Sequence, residues 1–291
     1  MTTNDNLQIP ETKQPKPFPS WSDLLAFLGI FLLGTLAGGL LIVPVLKLAL
    51  SVSEQAVTFA GYMVQFVLII VLTLVYRRSR GGSGTLFRFS IKWFNAALIL
   101  WGVVLVFMIG VVIEPLLELF PDSYLEMLNN AIGRGGWAIA TTVIAAPIME
   151  EMLFRGIVLE SVRSRYGSFR AIIISAAVFG LIHIIPQQVI NAFLVGIVLG
   201  FVYVKTESLT SVIILHAVNN ALAYLQTVVF GEQELSVREL TGGGALYWVI
   251  YGIAACICAV ALIQIVRYAK KSERPLPPQD NNSAGGDVDN L

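Results

Sequence analysis

Charged residues are scarce in this chain. Only 13% of its 291 residues are Asp, Glu, Lys or Arg, whereas 56% are hydrophobic, and the mean hydropathy is +0.76. Soluble globular domains carry about 25% charged residues, so this composition excludes such a domain. The 19 basic and 19 acidic residues balance to a formal net charge of zero, which gives no indication of nucleic-acid binding.

Cysteine is nearly absent as well. Cys256 and Cys258 are the only two, and two residues apart on a helix their side chains diverge by about 200°. This divergence excludes a disulfide or a shared metal, so we interpret both as packing residues. The polar first 20 residues lack the basic segment and cleavage site of a secretory signal, and we expect the mature chain to keep them.

Long apolar runs are what the chain has in abundance. A transmembrane helix needs about 20 mostly apolar residues, and eight stretches reach or approach this length. They predict an all-α fold, a polytopic transmembrane helical bundle with about eight spans. The expected spans are residues 24–50, 56–76, 94–113, 137–159, 171–185, 189–204, 209–230 and 246–266.

Basic residues concentrate in alternate loops. They follow the second, fourth, sixth and eighth spans, whereas acidic residues predominate in the loops between. By the positive-inside rule the basic loops are cytoplasmic, so both termini of this multi-pass protein are expected on the cytoplasmic side of a cell membrane. Residues 1–20 then form a polar tail, 21–270 one membrane domain, and 271–291 a tail whose composition predicts disorder.

The segment APIMEEMLFRG, residues 146–156, places three ionisable side chains in an apolar span. Each costs about 2.5–3.5 kcal/mol to insert, so such residues indicate function. Glu151 and Arg155 are four residues apart with the acid first, and their charges can cancel. Glu150, turned by about 100°, is left as the freer acid or base. Pro147 frees the carbonyl of Val143 and predicts a kink beside the carboxylates.

Both histidines of the chain also lie in apolar spans. His183 is in the fifth span, and His216 is in the seventh with Asn220 one turn further on. Helical rise places these residues and Glu150 about 12–20 Å from the cytoplasmic ends, so they can meet at one level. Interhelical hydrogen bonds that hold the bundle together would explain one such residue, but they explain the whole set less well.

The set contains what hydrolysis of a carbonyl compound requires. A carboxylate can activate water, a histidine can orient that water or protonate the leaving amine, and imidazole with amide can bind the oxyanion. The HExxH helix of soluble zinc proteases is absent. Zinc could still be bound by Glu150, His183 and His216, because three ligands suffice. These residues leave a metal-free and a zinc mechanism open.

Three motifs carry a family resemblance. EEMLFR at 150–155, FGLIH at 179–183 and HAVNN at 216–220 resemble the EExxxR, FxxxH and HxxxN motifs of the CPBP intramembrane proteases, also called the CAAX protease type 2 or Abi family. Each motif alone is weak, but their ordered occurrence over about residues 137–230 is specific. The resemblance implies a multi-helical membrane endopeptidase and favours a glutamate-dependent mechanism with no metal cofactor, with zinc as the alternative.

The resemblance also implies a role for each motif residue. Glu150 would activate water with His183 as its partner, and His216 and Asn220 would form the oxyanion site. Glu151 and Arg155 would orient the site and balance its charge.

We therefore predict an intramembrane endopeptidase that hydrolyses a peptide bond in a membrane-associated or lipidated, CAAX-like protein or peptide. Its expected partners are membrane lipid and that substrate. A non-enzymatic scaffold or bacteriocin-immunity factor that binds a peptide in the same polar pocket is the alternative. A proton-coupled transporter is disfavoured because the sequence shows no repeated halves. Pairs of small residues, Gly34 with Gly38 and Gly196 with Gly200, predict close helix packing.

Overall fold

The computed structural model describes residues 18–84, 86–89, 96–121, 134–230 and 236–272. Within these ranges the ordered elements are helices, and none of the described residues forms a strand. The helices are α1 (Trp21–Ala49), α2 (Glu54–Ser79), α3 (Ala96–Leu117), α4 (136–166), α5 (Ser168–Leu181), α6 (Pro186–Thr206), α7 (Leu209–Phe230), α8 (Val237–Thr241) and α9 (Ala245–Ser272). The predicted all-α class is confirmed.

The long helices correspond in position to the predicted spans. Among the described residues, α1, α2, α3, α6 and most of α9 are long and apolar enough to cross a membrane, and α5 is a shorter apolar helix. Large apolar side chains on α1, such as Leu33 and Leu40, are exposed, as expected for a helix that faces lipid. The chain is thus a polytopic membrane bundle, while the count of eight crossings stays a prediction.

Small residues bring neighbouring helices close together. A Cβ added to Gly196 on α6 would lie 3.2 Å from the Cα of Ala176 on α5, and one added to Gly34 on α1 would overlap the side chain of Ile69 on α2. The predicted packing role of the glycine pairs is confirmed. The close contact of α5 with α6 matters for the site because α5 leads directly into His183.

Helix α4 changes its hydrogen-bond register twice around the carboxylates. A π-helical stretch at Ala140–Ala145 is followed by an α-helical turn at Ala146–Glu151 and by a second π-helical stretch at Met152–Leu159. The register changes from π-helical to α-helical at Ala146, next to Pro147, while the kink expected at this proline stays a prediction. Glu150 and Glu151 lie in the short α-helical turn between the two π-helical stretches.

The basic loops meet at one end of the bundle. The Nε of Arg77 donates to the Oγ of Ser161 at 3.2 Å. Arg163 and Arg88 both pair with Glu207, at the C-terminal end of α6. These contacts place three loops predicted to be cytoplasmic on the same side. Which side of the membrane they face stays a prediction.

The two predicted tails are largely outside the described residues. Residues 18–20 are described, and the Ser20 side chain caps the first turn of α1. At the other end α9 continues to Ser272, so residues 271 and 272 are helical rather than part of a disordered tail. The expectations for residues 1–17 and 273–291 fall on residues that the structure does not describe.

Candidate active site

Glu151 is the buried anchor of the site. Its side chain is fully buried, and its Oε1 accepts hydrogen bonds from the Nη1 of Arg155 and the Nδ1 of His216, each at 2.7 Å. The pair expected from the four-residue spacing is therefore present. The arginine neutralises a carboxylate that would be costly to bury alone.

Arg155 connects three helices. From α4, its Nη2 donates to the backbone oxygen of Gly196 on α6 at 3.1 Å, and its guanidinium lies over the ring of Phe179 on α5, 4.9 Å from the centroid. The ring face is electron-rich and attracts the cation. Arg155 thus holds α4, α5 and α6 together around the site.

His216 lies between the two carboxylates. Its Nδ1 is bonded to Glu151, and its Nε2 is 3.8 Å from the Oε2 of Glu150. Because the Glu151 oxygen also accepts from Arg155, Nδ1 is best assigned as the donor, with its proton toward Glu151. The Nε2 is then the nitrogen that faces Glu150.

Glu150 is less constrained than Glu151. Its side chain keeps 13% of its surface exposed, and its Oε1 accepts a hydrogen bond from the hydroxyl of Tyr62 on α2 at 3.1 Å. Its Oε2 faces His216. This agrees with the expectation that Glu150 is the freer carboxylate. Tyr62 was missed because it is 88 residues away in sequence and lies in no motif.

His183 follows the C-terminal end of α5 and is half-buried. Its Nδ1 lies 2.8 Å from the backbone oxygen of Phe179. No hydrogen bond or ion pair joins His183 to Glu150, although both are described, so their partnership stays a prediction. Phe179 contacts both imidazoles edge-on, with ring centroids 5.1 Å from His183 and 5.7 Å from His216.

Phe179 is the second residue to which sequence reasoning gave no role. It is the first letter of FGLIH, four residues before His183, and that spacing was the available signal. Its ring contacts Arg155 and both histidines, so it is a common packing partner of these three side chains. Its own side chain is buried.

Asn220 contacts the backbone of α4. Its Nδ2 donates to the carbonyl oxygen of Thr142 at 2.9 Å, and its Oδ1 accepts from the Nδ2 of Asn219 at 3.2 Å. One of its two amide N–H groups is therefore already engaged. The structure brings Asn220 against the helix that carries the carboxylates.

The arrangement of the side chains bears on the zinc alternative. Across the described ranges, no three His, Cys, Asp or Glu side chains are grouped as metal ligands would be. Glu150 and His216 are near each other, but His183 does not complete a set with them. These three residues, as placed, do not fit a zinc ion.

The fold and the site together define a class: polytopic α-helical membrane proteins with a buried carboxylate, histidine and arginine centre. Residues 133–222 match the model of a family described as type II CAAX prenyl endopeptidase Rce1-like. All six predicted site residues fall within this match. This part of the chain is similar to the CAAX prenyl endopeptidase family, in agreement with the resemblance carried by the three motifs.

One curated relative and the solved structures complete the comparison. The "Putative membrane peptidase YdiL" of Bacillus subtilis (strain 168) is 26% identical over 110 residues, which is 36% of this chain and 45% of the relative. The similarity thus spans less than half the length of that protein. No solved structure shows significant similarity to the chain.

Proposed function

We propose that this chain is an intramembrane endopeptidase in which Glu150 activates water. The observation that carries the proposal is the difference between two adjacent carboxylates. Glu151 is fully buried and bonded to Arg155 and His216, whereas Glu150 is partly exposed and has an oxygen facing His216. A general base must reach water and be free to take a proton, and Glu150 meets both conditions.

The reaction follows from these positions. Glu150 removes a proton from water as the water oxygen attacks the peptide carbonyl carbon, and the carbonyl electrons move to its oxygen. The tetrahedral intermediate then collapses, the C–N bond breaks, and the proton held by Glu150 passes to the leaving amine. The products are a carboxylic acid and an amine, and Glu150 returns to its carboxylate form.

His216 is the proposed donor to the oxyanion. With Nδ1–H bonded to Glu151, a proton on Nε2 makes the imidazole cationic. Glu150, Glu151, Arg155 and His216 then sum to zero charge, which suits a buried site. An Nε2–H in this position can stabilise negative charge as it develops. The oxyanion role of Asn220 stays a prediction, since one of its N–H groups is used by Thr142.

We assign His183 to orienting the water. If its Nδ1–H donates to the Phe179 oxygen, its Nε2 carries a lone pair that can accept from water. Such a water would be held between His183 and Glu150 without direct contact of the two side chains. This arrangement is compatible with the absence of a bond between them.

The proposed substrate is a membrane-associated or lipidated, CAAX-like protein or peptide. The family description names a CAAX prenyl endopeptidase, and the site lies within a bundle of apolar helices. Membrane lipid is the expected surrounding partner.

The test is turnover of a fluorescent CAAX-type peptide by purified protein. Glu150→Gln keeps the hydrogen bond from Tyr62 but cannot take a proton, so we expect kcat to fall by about 10²- to 10⁴-fold. The matched control is Glu239→Gln, which changes an exposed glutamate and should leave kcat unchanged. Full turnover by Glu150→Gln protein with the same thermal stability as wild type would refute the proposal.

A chelator experiment separates the two mechanisms. With Glu150 acting on water unaided, incubation with a zinc chelator followed by its removal should leave turnover unchanged. Metal analysis of protein purified without chelator gives an independent reading. Loss of activity that returns with added zinc would favour the zinc alternative.

A further inference from the structure

The first π-helical stretch of α4 stops where its next N–H donor would be Pro147. In a π-helix each N–H donates to the carbonyl five residues earlier, and the N–H of Ala146 donates to Thr141 in this way. The next donor would be residue 147, with Thr142 as acceptor. Proline has no N–H, so the carbonyl of Thr142 loses its partner within this register.

The α-helical register does not supply a donor either. There the partner of Thr142 would be the N–H of Ala146, which is bonded to Thr141 instead. The donor comes from α7, where the Nδ2 of Asn220 lies 2.9 Å from the Thr142 oxygen. A side chain 78 residues away thus occupies the place of the missing backbone N–H.

We infer that Asn220 is a positioning residue whose amide replaces the N–H that Pro147 lacks, and so holds α4 in the register that presents Glu150 and Glu151. Successive helical residues are turned by about 100°. A slip of one residue after Pro147 would therefore turn Glu150 away from Tyr62. The part of this inference that concerns catalysis rests on the proposed function.

Helix α7 thereby contacts α4 at two points, through two side chains that are one turn apart on α7. His216 bonds to Glu151, and Asn220 bonds to Thr142, on either side of Pro147. The four-residue spacing of His216 and Asn220 places both on one face of α7. This explains why the amide and the second imidazole occur together, without requiring both to touch substrate.

A double-mutant cycle on stability tests the inference without any substrate. Asn220→Ala in the wild-type background leaves the Thr142 carbonyl unpaired and should lower the midpoint of thermal unfolding by about 3–6 °C. In the Pro147→Ala background a backbone N–H is available, so the same change should lower the midpoint by less than about 1 °C. Equal losses in both backgrounds would overturn the inference.

The control for this cycle is Gln187→Ala. Gln187 also donates from a side-chain amide to a backbone carbonyl, that of Leu117, at 3.2 Å, but it has no relation to Pro147. Its effect on the midpoint should be the same in both backgrounds. If the effect of Gln187→Ala on the midpoint differs between the two backgrounds as much as that of Asn220→Ala, the cycle measures a general loss of stability in the Pro147→Ala protein. That result would also overturn the inference.

Turnover by wild type, Asn220→Ala, Pro147→Ala and the double variant decides whether the bond positions the site. Asn220→Ala alone should lower kcat by about 10- to 100-fold with little change in KM. In the Pro147→Ala background the same substitution should lower kcat much less, when the double variant is compared with Pro147→Ala alone. If stability is coupled but the kcat loss is not restored, the bond to Thr142 does not position the site for catalysis and the positioning role is wrong. Because the stability cycle needs no turnover, it stands even if the peptidase proposal fails.

Discussion

At the scale of the residue, two adjacent glutamates differ only in their surroundings. Glu151 and Arg155 are both fully buried and bonded at 2.7 Å, whereas the side chain of Glu150 is partly exposed. Glu151 is therefore placed to stabilise the fold, and Glu150 is accessible enough to act on water. The same residue type predicts opposite mutational phenotypes at positions 150 and 151.

Glu151→Gln should destabilise the protein strongly. The substitution leaves the guanidinium of Arg155 buried without its counter-charge, and breaking such a pair costs about 3–5 kcal/mol. Thermal unfolding in detergent should show a large loss for Glu151→Gln and a much smaller one for Glu150→Gln. Replacing the pair by apolar residues, Glu151→Leu with Arg155→Met, should recover much of the stability. Equal stability of the two single variants would contradict this assignment.

Tyr62→Phe should reduce turnover without unfolding the protein. Its hydroxyl donates to one oxygen of Glu150 at 3.1 Å and so limits the rotation of the carboxylate, while its ring packs on Phe66 with centroids 4.6 Å apart. Phenylalanine keeps the ring contact and removes the hydrogen bond. We expect kcat to fall by about tenfold, equivalent to about 1.4 kcal/mol, with KM little changed. Unchanged kcat would show that the hydrogen bond from Tyr62 does not contribute to turnover.

At the scale of the element, hydrophobic runs and spacing predicted much of what is observed. The four-residue spacing identified the Glu151–Arg155 pair, and apolar runs located the helices, because both follow from a 3.6-residue period. The same period could not anticipate the π-helical stretches. For that reason the carbonyl predicted to be free was that of Val143, whereas the one bonded by Asn220 is that of Thr142. The contact of Tyr62 with Glu150 could not be predicted, because contacts between helices distant in sequence leave no local pattern.

Close packing of α5 on α6 is an element-scale feature with a direct test. A Cβ added to Gly180 would lie 2.8 Å from the backbone oxygen of Val189 and 3.1 Å from the Cβ of Phe193. Backbone cannot yield as a flexible side chain can, so Gly180→Ala should cost about 1–3 kcal/mol by overpacking. It should also lower kcat, because His183 is three residues further along.

The control for Gly180→Ala is Gly110→Ala on α3. A Cβ at Gly110 meets nothing within 4 Å, and alanine favours a helix by about 1 kcal/mol over glycine. Its unfolding midpoint should therefore be unchanged or raised. If the two substitutions have the same effect, the tight approach of α5 and α6 does not contribute to stability.

At the scale of the whole molecule, ion pairs join the ends of helices that are distant in sequence. Glu207 ends α6 and bonds to Arg163 near the end of α4 and to Arg88 in the loop after α2. These contacts hold together the loops predicted to be cytoplasmic. Their positive charge predicted a common side of the membrane, which stays a prediction, whereas the contacts that join these loops are observed. The glutamate that links them carried no signal in the sequence, since its partners are 44 and 119 residues away.

The Glu207 cluster predicts a pH-dependent contribution to stability. Partial burial raises the pKa of Glu207, but the hydrogen bonds and charges of Arg163 and Arg88 outweigh it, so the pKa lies below its ordinary value of 4.5. A carboxyl with a lowered folded-state pKa stabilises the protein above the unfolded pKa and loses that contribution as pH falls through the folded pKa. Glu207 is 47% exposed, so solvent screening limits the contribution to less than about 1 kcal/mol.

Unfolding midpoints of wild type and Glu207→Gln, measured at pH 7 and through the acid range below 4.5, check this prediction. Wild type should be the more stable at pH 7, and the difference should shrink as the pH falls below 4.5 because Glu207 becomes neutral in both states. High salt at pH 7 should shrink it as well, since exposed ion pairs are screened. Glu239→Gln, at an exposed glutamate, should match wild type throughout. A difference that persists at low pH would mean that Glu207 stabilises the bundle through packing rather than through charge.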